Sequence, residues 1–317
     1  MYLAGFDIGG TKSAALIACI RKGMLEFIDR KEIATTRDWK EDMDVLSSWV
    51  MGRRKELGSA LAGAGISCGG PLDPERKRIL SPPNLPGWDE VPIVSYLEER
   101  LGIKVWLEND ADACALAEYR YGAGRGSKNM IFLTFGTGLG AGLILDGRLY
   151  RGSSGMAGEI GHIRMSESGP PGYYKEGSLE GYASGGGIAK LAKLEGFGDR
   201  GGEGGEEKGK RDPDAKEIIS LAREGDPEAK RILDISAKYL GRGLSILVDL
   251  LNPDTIVLGS IFVRAEDLFR ERMEEELRKE SLSFSYEAVS IRAALLSERI
   301  GDYGAICAAL HHLERKE

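Results

Sequence analysis

The feature that most restricts how this chain can fold is a unit that occurs twice: an apolar strand, a turn of glycine and threonine, and a second apolar strand. The first copy reads FDIGGTKSAALI (Phe6–Ile17) and the second reads TFGTGLGAGLI (Thr134–Ile144). Because 317 residues exceed what one hydrophobic core usually organises, two domains are expected. The pair of strand-turn-strand units is the only internal repeat that the sequence supports.

Strand and helix patterns alternate along the rest of the chain, which is typical of the α/β class. The predicted strands are Tyr2–Asp7, Ser13–Ile20, Ala62–Ser67, Lys104–Leu107, Asn129–Thr134, Ala141–Asp146, Thr255–Leu258 and Ala288–Arg292. The apolar spacing predicts helices over Glu41–Leu57 and Val91–Leu101, through Leu233, Leu240, Leu244, Leu247 and Leu251, and through Phe269, Met273 and Leu277.

Composition and charge exclude several classes of protein. With 42% hydrophobic and 29% charged residues the chain is globular, and a net charge of −7 without a basic stripe argues against nucleic acid as a partner. The four cysteines are scattered, and the N-terminus lacks a basic leader followed by a long apolar run. We expect a cytoplasmic protein with no membrane span.

The segment Gly196–Pro213 is rich in glycine and charge and cannot bury enough apolar surface to fold by itself. We interpret it as a mobile insertion without a functional role.

The turns of the two hairpins carry the first chemical signal. Small residues beside a hydroxyl leave backbone N–H groups free to form a concavity for phosphate. The turn residues are Gly9, Gly10 and Thr11 in the first copy and Gly136, Thr137 and Gly138 in the second. The first copy adds Asp7, which suits a magnesium-water shell, and Lys12, which suits phosphate. Ordinary hairpin turns are the alternative, and neither copy fits the Walker pattern.

The stretch WLENDADACALAE (Trp106–Glu118) places Asn109 and Asp110 where a predicted strand gives way to a helix. Open α/β sheets bind ligands at this edge, and a carboxylate there can accept a proton from a substrate hydroxyl. Asn and Asp are also favoured as helix caps, so the pattern leaves both interpretations open.

A third polar group lies in glycine-rich segments: Glu159 and His162 within GMAGEIGHI, and Glu180 within GSLEGYASGGG. Without cysteines these residues are a weak zinc signal but suitable hydrogen-bond partners for a polyol. Asn84 in PNLPGW adds an amide on a loop stiffened by proline. The alternatives are a histidine satisfied in the core and a plain surface turn.

Taken together, these motifs resemble the ROK family of sugar kinases, within the actin-like ATPase superfamily. The resemblance runs nearly end to end through DIGGTK at Asp7, PNLPGW at Pro83, ENDADACALAE at Glu108, GTGLGAGLI at Gly136, GMAGEIGHI at Gly155, LEGYASG at Leu179 and IVLG at Ile256.

The resemblance implies two actin-like (ribonuclease H-like) α/β domains around a cleft for ATP and sugar. The smaller domain would comprise residues 1–120 joined by a C-terminal helix at 302–317, and the larger one residues 121–301. The family also implies Mg²⁺ as a cofactor and a homodimer.

The resemblance assigns roles to individual residues. Asp110 matches the catalytic base, whereas Glu108 and Asp112 do not match catalytic positions. ATP would be bound by the turns at Asp7 and Gly136 and by the loop at Gly259. The sugar ligands would be Asn84, Asn109, Glu159, His162 and Glu180, with Gly70 as a neighbour.

The chain departs from the family's pattern at two places. The window PGYYKEGS (Pro171–Ser178) stands where most members carry the zinc motif CxCGxxGC, and it contains no cysteine. Because thiolates make such a site bind zinc, we predict no structural zinc. Ser260 follows Gly259 where the family usually repeats glycine, so adenine packing is expected to differ.

The function implied by the resemblance is transfer of a phosphoryl group from Mg-ATP to the 6-hydroxyl of a hexose, with glucose first. N-acetylmannosamine or N-acetylglucosamine, and then fructose or allose, stay open because the quoted polar residues do not separate them. A sugar-responsive repressor is disfavoured because the first strand starts at Tyr2 and no basic face is present. A non-catalytic actin-like protein would have no reason to keep the sugar ligands together.

Overall fold

A computed structural model describes residues 1–197 and 213–314, and nearly all of the predicted insertion lies outside these residues. The described chain forms two compact units. Unit 1 contains Met1–Gly122, Arg151–Gly155 and the C-terminal segment from Glu298, and unit 2 contains Ala123–Tyr150 and the remainder up to Ser297. The domain limits 1–120, 121–301 and 302–317 stay a prediction, because compact packing alone does not show independent folding.

Unit 1 is built on a five-stranded sheet whose strand order is β3-β2-β1-β4-β5. Its strands are β1 (Tyr2–Ile8), β2 (Lys12–Arg21), β3 (Met24–Ala34), β4 (Leu61–Cys68) and β5 (Val105–Asn109). The first three strands are antiparallel neighbours, whereas β4 and β5 run parallel to β1. In this register Asp7 lies beside Ser67, and Cys68 lies beside Asn109, so the carboxyl ends of three parallel strands meet at one edge.

The helices of unit 1 are α1 (Trp39–Leu57), α2 (Ile93–Leu101), α3 (Asp110–Tyr121) and a C-terminal helix, Ile300–Glu314, which is α10 in chain order. Local sequence sets the limits of α1: the Asp38 carboxylate accepts hydrogen bonds from Lys40 and Glu41 N–H, and Gly58 ends the helix at φ +58°. These are favoured N-terminal and C-terminal caps.

The C-terminal helix packs directly on the sheet of unit 1 through glycine. A Cβ atom built on Gly65 of β4 would lie 2.0 Å from the Ala305 carbonyl oxygen and 2.7 Å from the Ala309 nitrogen. Ala305 and Ala309 are fully buried. The helix backbone therefore rests on the strand backbone, and there is no space for a side chain at residue 65.

Unit 2 repeats the same design with a second five-stranded sheet, in the order β10-β9-β6-β7-β8. Its strands are β6 (Met130–Leu133), β7 (Ala141–Leu145), β8 (Arg148–Tyr150), β9 (Thr255–Leu258) and β10 (Ser290–Ala293). Again the three strands that come first in the chain pair antiparallel, β6 with β7 and β7 with β8. Strands β9 and β10 run parallel to β6. Each sheet is thus a hairpin extended by one strand on one side and by two parallel strands on the other.

The helices described in unit 2 are α4 (Leu179–Tyr182), α5 (Gly185–Leu194), α6 (Ala215–Arg223), α7 (Pro227–Leu251), α8 (Ile261–Glu280) and α9 (Ser283–Ala288). The predicted leucine face lies on α7, where Leu233, Leu240 and Leu244 are buried in the core. Gly241 of α7 allows close packing against α8, because a Cβ atom there would lie 2.4 Å from the Met273 carbonyl oxygen.

The predicted α/β class is confirmed, and the differences concern elements that are weakly coded. The sequence did not predict β3 or β8: β3 lies at a sheet edge and carries five charged residues in MLEFIDRKEIA, and β8 has only three residues. β10 begins at Ser290 rather than Ala288, which belongs to α9. Among the described residues no helix is long and apolar enough to cross a lipid bilayer.

We predict that Gly65→Ala lowers the free energy of unfolding by about 3 kcal/mol, because the added methyl group would overlap the backbone of the C-terminal helix. Urea denaturation measures this change. Gly52→Ala is the matched control: Gly52 lies in α1 with no atom within 4 Å of its Cβ position, so alanine there should stabilise the protein by about 0.5–1 kcal/mol. Equal effects of the two substitutions would contradict the close packing.

Candidate functional site

The turn between β1 and β2 presents two consecutive N–H groups. Gly9 N–H donates to the Lys12 carbonyl at 3.1 Å, and Thr35 holds the turn by donating to the carbonyls of Gly9 and Thr11. The N–H groups of Gly10 and Thr11 have no acceptor in the part of the chain that the structure describes. Adjacent free N–H groups on a solvent-exposed turn are suited to an anion such as phosphate.

The turn between β6 and β7 has the same property. Gly136 N–H donates to the carbonyls of Thr134 and Gly138, which closes the turn on itself. The N–H groups of Thr137 and Gly138 make no hydrogen bond within residues 1–197 and 213–314. Both copies of the repeated sequence unit therefore fold into hairpins with a free N–H pair.

Glu180 lies directly against this second turn. Its Oε2 atom accepts a hydrogen bond from Leu139 N–H at 3.0 Å, and a Cβ atom on Gly138 would approach the same oxygen to 2.9 Å. Glu180 belongs to the short helix α4, whose N-cap Ser178 accepts from Gly181 N–H. Unit 2 thus brings a predicted sugar ligand and the predicted phosphate turn together.

The loop after β9 also borders the second turn. Gly259 N–H donates to the Leu133 carbonyl, and a Cβ atom on Gly259 would lie 2.9 Å from the Phe132 ring, so only glycine fits. Ser260 has φ +49°, and its hydroxyl lies 3.4 Å from the Cβ position of Gly136. The predicted ATP residues of unit 2 are therefore neighbours.

In unit 1 the predicted sugar ligands converge at the carboxyl edge of the sheet. A Cβ atom on Gly69 would lie 3.6 Å from Asn84 Nδ2 and 3.8 Å from Asp110 Oδ2. The first turn reaches the same place, since a Cβ atom on Gly10 would lie 2.4 Å from the Asn84 carbonyl oxygen. Glycine at position 10 lets the turn approach the Asn84 backbone closely, and glycine at position 69 adds no side chain beside the amide and the carboxylate.

Asn109 and Asp110 begin helix α3, so the helix-cap interpretation is confirmed, while their role toward a substrate stays a prediction. Ala111 N–H lies 3.0 Å from Asn109 Oδ1 and 2.9 Å from Asp110 Oδ1. Each side chain keeps a second polar atom: Asn109 Nδ2, which lies 3.3 Å from the Cβ position of Gly70, and Asp110 Oδ2. Neither atom hydrogen bonds to a described residue, so capping fixes both side chains while leaving one atom of each for a ligand.

Glu108, two residues before Asp110, has a structural role because its carboxylate is bound by other side chains of unit 1. It is fully buried, and its carboxylate is paired with the Arg151 guanidinium and lies 3.3 Å from His312 Nε2. Burial alone would raise the pKa of Glu108, but the hydrogen bonds from His312 and Arg151 outweigh it and lower that pKa. Glu108 therefore stays ionised and cannot reach solvent.

Asp112 is likewise buried and pairs with Arg76 at 3.3 Å. Burial, aided by the charge of Glu108, raises the pKa of Asp112 to about 7 against the opposing effect of Arg76. The third carboxylate, Asp110, is accessible to solvent, yet protein atoms around it displace enough water to raise its pKa, while Ala111 N–H opposes that rise. Of the three acidic groups in ENDAD, Asp110 alone can meet a substrate.

Asp7 presents a carboxylate that makes no hydrogen bond within the described residues. Burial, followed by the charges of Asp302 and Asp110, raises its pKa to about 6, while Arg30 opposes the rise. A Cβ atom on Gly301 would lie 2.2 Å from its Oδ2 atom, so glycine there is required. The described chain holds no cluster of three metal ligands, but Mg²⁺ needs only one or two carboxylates when water and phosphate complete its shell. Asp7 fits that role.

Lys12, the predicted phosphate cation, pairs with Glu32 of β3 at 2.6 Å. Its side chain is 67% exposed, and exposed pairs of this kind contribute little free energy. The ammonium group can therefore exchange this partner for a phosphate at small cost.

Glu159 precedes a single 3-10 turn, Ile160–His162, and His162 is the last residue of that turn; its N–H donates to the Glu159 carbonyl. The His162 side chain is exposed, and its imidazole nitrogens bond to no described residue. It is not a satisfied core histidine, because solvent reaches it. The role of His162 as a sugar ligand stays a prediction.

The window Pro171–Ser178 does not provide a zinc site. The residues at its predicted cysteine positions are proline, tyrosine and serine, and the Ser178 hydroxyl is occupied by hydrogen bonds with Gly172. Zinc in structural sites requires four ligands dominated by thiolate and imidazole. His162 is the one side chain of this type near the window among the described residues, so the donor set does not fit zinc.

Comparison with known proteins identifies relatives over the whole chain. The model of the ROK family matches residues 3–312. A glucokinase from Streptomyces coelicolor is 32% identical over 315 residues, which cover 95% of each protein. The crystal structure of a ROK hexokinase from Thermus thermophilus matches with a TM-score of 0.84 at 32% identity and covers both chains completely. A ROK family glucokinase from Streptomyces griseus, in complex with glucose and AMPPNP, matches with a TM-score of 0.75 at 30% identity over 99% of this chain and 100% of that one. The predicted actin-like fold is confirmed.

We predict that Asp7→Asn stabilises the free protein more at pH 7.5 than at pH 4.5. A carboxyl whose pKa rises from 3.8 to about 6 on folding favours the folded state at low pH, and this advantage is lost as pH rises through about 6. Without metal or nucleotide, the gain in unfolding free energy should be about 2 kcal/mol larger at pH 7.5.

Urea denaturation at the two pH values measures this difference. Asp146→Asn is the control, because Asp146 forms an exposed pair with Lys128 and should show no such pH dependence. A gain from Asp7→Asn that is the same at both pH values would show that the Asp7 carboxyl is not desolvated in the folded protein.

Proposed function

Because this chain belongs to the ROK family, we propose that it is an ATP-dependent hexose kinase that phosphorylates glucose at the 6-hydroxyl. The observation that carries the proposal is the exposed Asp110 carboxylate beside Asn84 Nδ2 and Asn109 Nδ2, which hydrogen bond to no described residue, at the same sheet edge as the N–H pair of the first turn. The relatives named glucokinase, and the one solved with glucose and AMPPNP, support this substrate pair.

In the proposed reaction Asp110 acts as the general base. Asn84 and Asn109 orient the sugar so that its 6-hydroxyl faces Asp110 Oδ2, the oxygen that the helix cap leaves unused. Asp110 accepts the hydroxyl proton as the sugar oxygen forms its bond to the γ-phosphorus, and the bond to the bridging oxygen of ADP breaks. The raised pKa of Asp110 makes it a better proton acceptor than an ordinary exposed aspartate.

The rest of the catalytic effect would come from positioning and charge stabilisation. The free N–H pairs at Gly10–Thr11 and Thr137–Gly138 bind phosphate oxygens, Lys12 adds a positive charge, and the loop at Gly259 contacts the nucleotide. A magnesium ion held through water by Asp7 would neutralise charge on the phosphates when bound. Binding of this ion would also relieve the unfavourable ionisation of Asp7.

Unit 2 would supply the remaining sugar ligands, Glu159, His162 and Glu180. Glu180 accepts one hydrogen bond from the second turn, which fixes the carboxylate and leaves Oε1 for a sugar hydroxyl. Gly70 would border the sugar beside Asn109. We further propose that the enzyme is a cytoplasmic homodimer, as its family implies, and size-exclusion chromatography with light scattering tests the dimer.

We predict that glucose gives the highest kcat/KM in a coupled assay that detects ADP formation from Mg-ATP. The panel comprises glucose, mannose, fructose, allose, N-acetylglucosamine and N-acetylmannosamine. A margin of about tenfold or more over each competitor corresponds to about 1.4 kcal/mol of transition-state discrimination. A higher kcat/KM for an N-acetylhexosamine would reassign the substrate, and absence of ADP formation with every sugar would refute the kinase proposal.

We predict that Asp110→Asn lowers kcat about 10²- to 10⁴-fold, because an amide cannot accept the hydroxyl proton. Calorimetry should find glucose affinity within a few-fold of the wild type, since the amide keeps the hydrogen-bonding shape. Asp89→Asn, at an exposed aspartate of unit 1, is the matched control and should retain full turnover. Substantial turnover by Asp110→Asn would mean that another group is the base.

A further inference from the structure

A tight turn at Gly172–Lys175 lies beside His162 in unit 2. Gly172 and Lys175 exchange two backbone hydrogen bonds of 3.1 and 2.9 Å. The two residues between them, Tyr173 and Tyr174, have φ of +43° and +64°, which defines a two-residue hairpin of the I′ type. Asparagine and glycine are preferred at these positions, so two tyrosines in the left-handed region are an unfavourable choice on local grounds.

The backbone of the turn is fixed by contacts of Gly172, and these contacts do not involve the tyrosines. The Ser178 hydroxyl accepts a hydrogen bond from Gly172 N–H at 3.1 Å and donates to the Gly172 carbonyl. Gly172 is buried, and a Cβ atom there would lie 2.6 Å from the Gly181 nitrogen. The backbone of the turn is thus fixed to the start of α4, and its side chains are presented from a rigid base.

Two side chains of this turn contact His162. The Tyr173 ring stands at 81° to the imidazole with ring centroids 6.2 Å apart, which is a favourable edge-to-face arrangement. Lys175 Nζ donates to the His162 carbonyl oxygen at 2.9 Å. One turn therefore contacts both the ring and the backbone of a residue that is otherwise exposed to solvent.

Tyr174 differs from Tyr173 although it shares the same turn. Its side chain is 94% exposed, against 56% for Tyr173, and its ring contacts Tyr173 at 5.7 Å rather than His162. Comparing substitutions of Tyr173 and Tyr174 therefore distinguishes the effect of the His162 contact from the effect of any tyrosine in this turn.

We propose that Tyr173 and Lys175 are positioning residues that hold the His162 imidazole in the orientation in which it binds a sugar hydroxyl. An exposed histidine on a single 3-10 turn would otherwise sample several rotamers, and each binding event would have to restrict it. This inference rests on the proposed function, because it takes His162 as a sugar ligand. It makes the Gly172–Lys175 turn a determinant of sugar affinity, with no role in ATP binding.

The test compares Tyr173→Ala, Tyr173→Phe and Tyr174→Ala by steady-state kinetics with glucose and ATP varied separately. Tyr173→Ala should raise KM for glucose about tenfold, with KM for ATP and kcat within about twofold of the wild type. Tyr173→Phe keeps the ring and should restore wild-type KM. Tyr174→Ala carries the same backbone strain without the His162 contact and should also resemble the wild type.

Two results would overturn the inference. One is an equal KM for glucose in Tyr173→Ala and Tyr174→Ala. The other is a parallel rise of both KM values with a lower melting temperature, which would indicate a merely structural role.

A readout independent of activity separates this inference from the proposed function. The chain has three histidines, so the His162 imidazole resonances can be assigned by NMR from a His162→Gln variant. Tyr173→Ala should shift these resonances through loss of the ring contact, whereas Tyr174→Ala should leave them nearly unchanged. Shifts in Tyr173→Ala without kinase activity in the wild type would refute the kinase proposal but keep the contact. Normal activity without the shifts would refute the positioning.

Discussion

The parallel register of β1, β4 and β5 is the constraint on which the candidate site of unit 1 depends. Parallel strands end at the same edge, so pairing of Asp7 with Ser67 and of Cys68 with Asn109 brings three chain segments together that are far apart in sequence. The residues that follow each strand therefore have to pack closely together at this edge. Glycine allows this close packing at two positions: at residue 10 it lets the turn approach the Asn84 backbone, and at residue 69 it adds no side chain beside Asn84 and Asp110.

The change from β5 to α3 at Asn109–Asp110 separates the exposed carboxylate from the two buried ones. Glu108 is buried, where it forms an ion pair with Arg151 and a hydrogen bond with His312, and Asp112 on the first turn of α3 pairs with Arg76. Breaking such buried pairs is costly, so these acidic groups are committed to holding β5 and α3 in place. Asp110 is left at the exposed edge with one oxygen bound to Ala111 N–H and one free. A stable framework of ion pairs therefore surrounds a carboxylate that is fixed but available.

The sequence predicts the parts of this protein that are coded locally. The repeated hairpin, the capped helix at Asn109 and the leucine face of α7 all appear where the spacing placed them. Strand β3 was missed because its charged residues alternate poorly, and its place is set by pairing with β2. The partners Arg76, Arg151 and His312 were missed for the same reason: ion pairs across long sequence separations leave no periodic signal. Only the order of the motifs, matched to a family, indicated that Glu108 is not the catalytic carboxylate.

The two hairpins share a topology but differ at one position that explains their different chemistry. Asp7 stands at the end of β1 with a carboxylate that no described residue bonds, whereas its counterpart Thr134 accepts a hydrogen bond from Gly140 N–H and closes its own turn. A second free carboxylate at Thr134 would repel the phosphates that the adjacent N–H pair is suited to bind. The threonine hydroxyl removes that charge and rigidifies the turn. The duplicated unit therefore provides two turns whose N–H pairs bond to no described residue, but a carboxylate without a hydrogen bond to a described residue beside the first turn only.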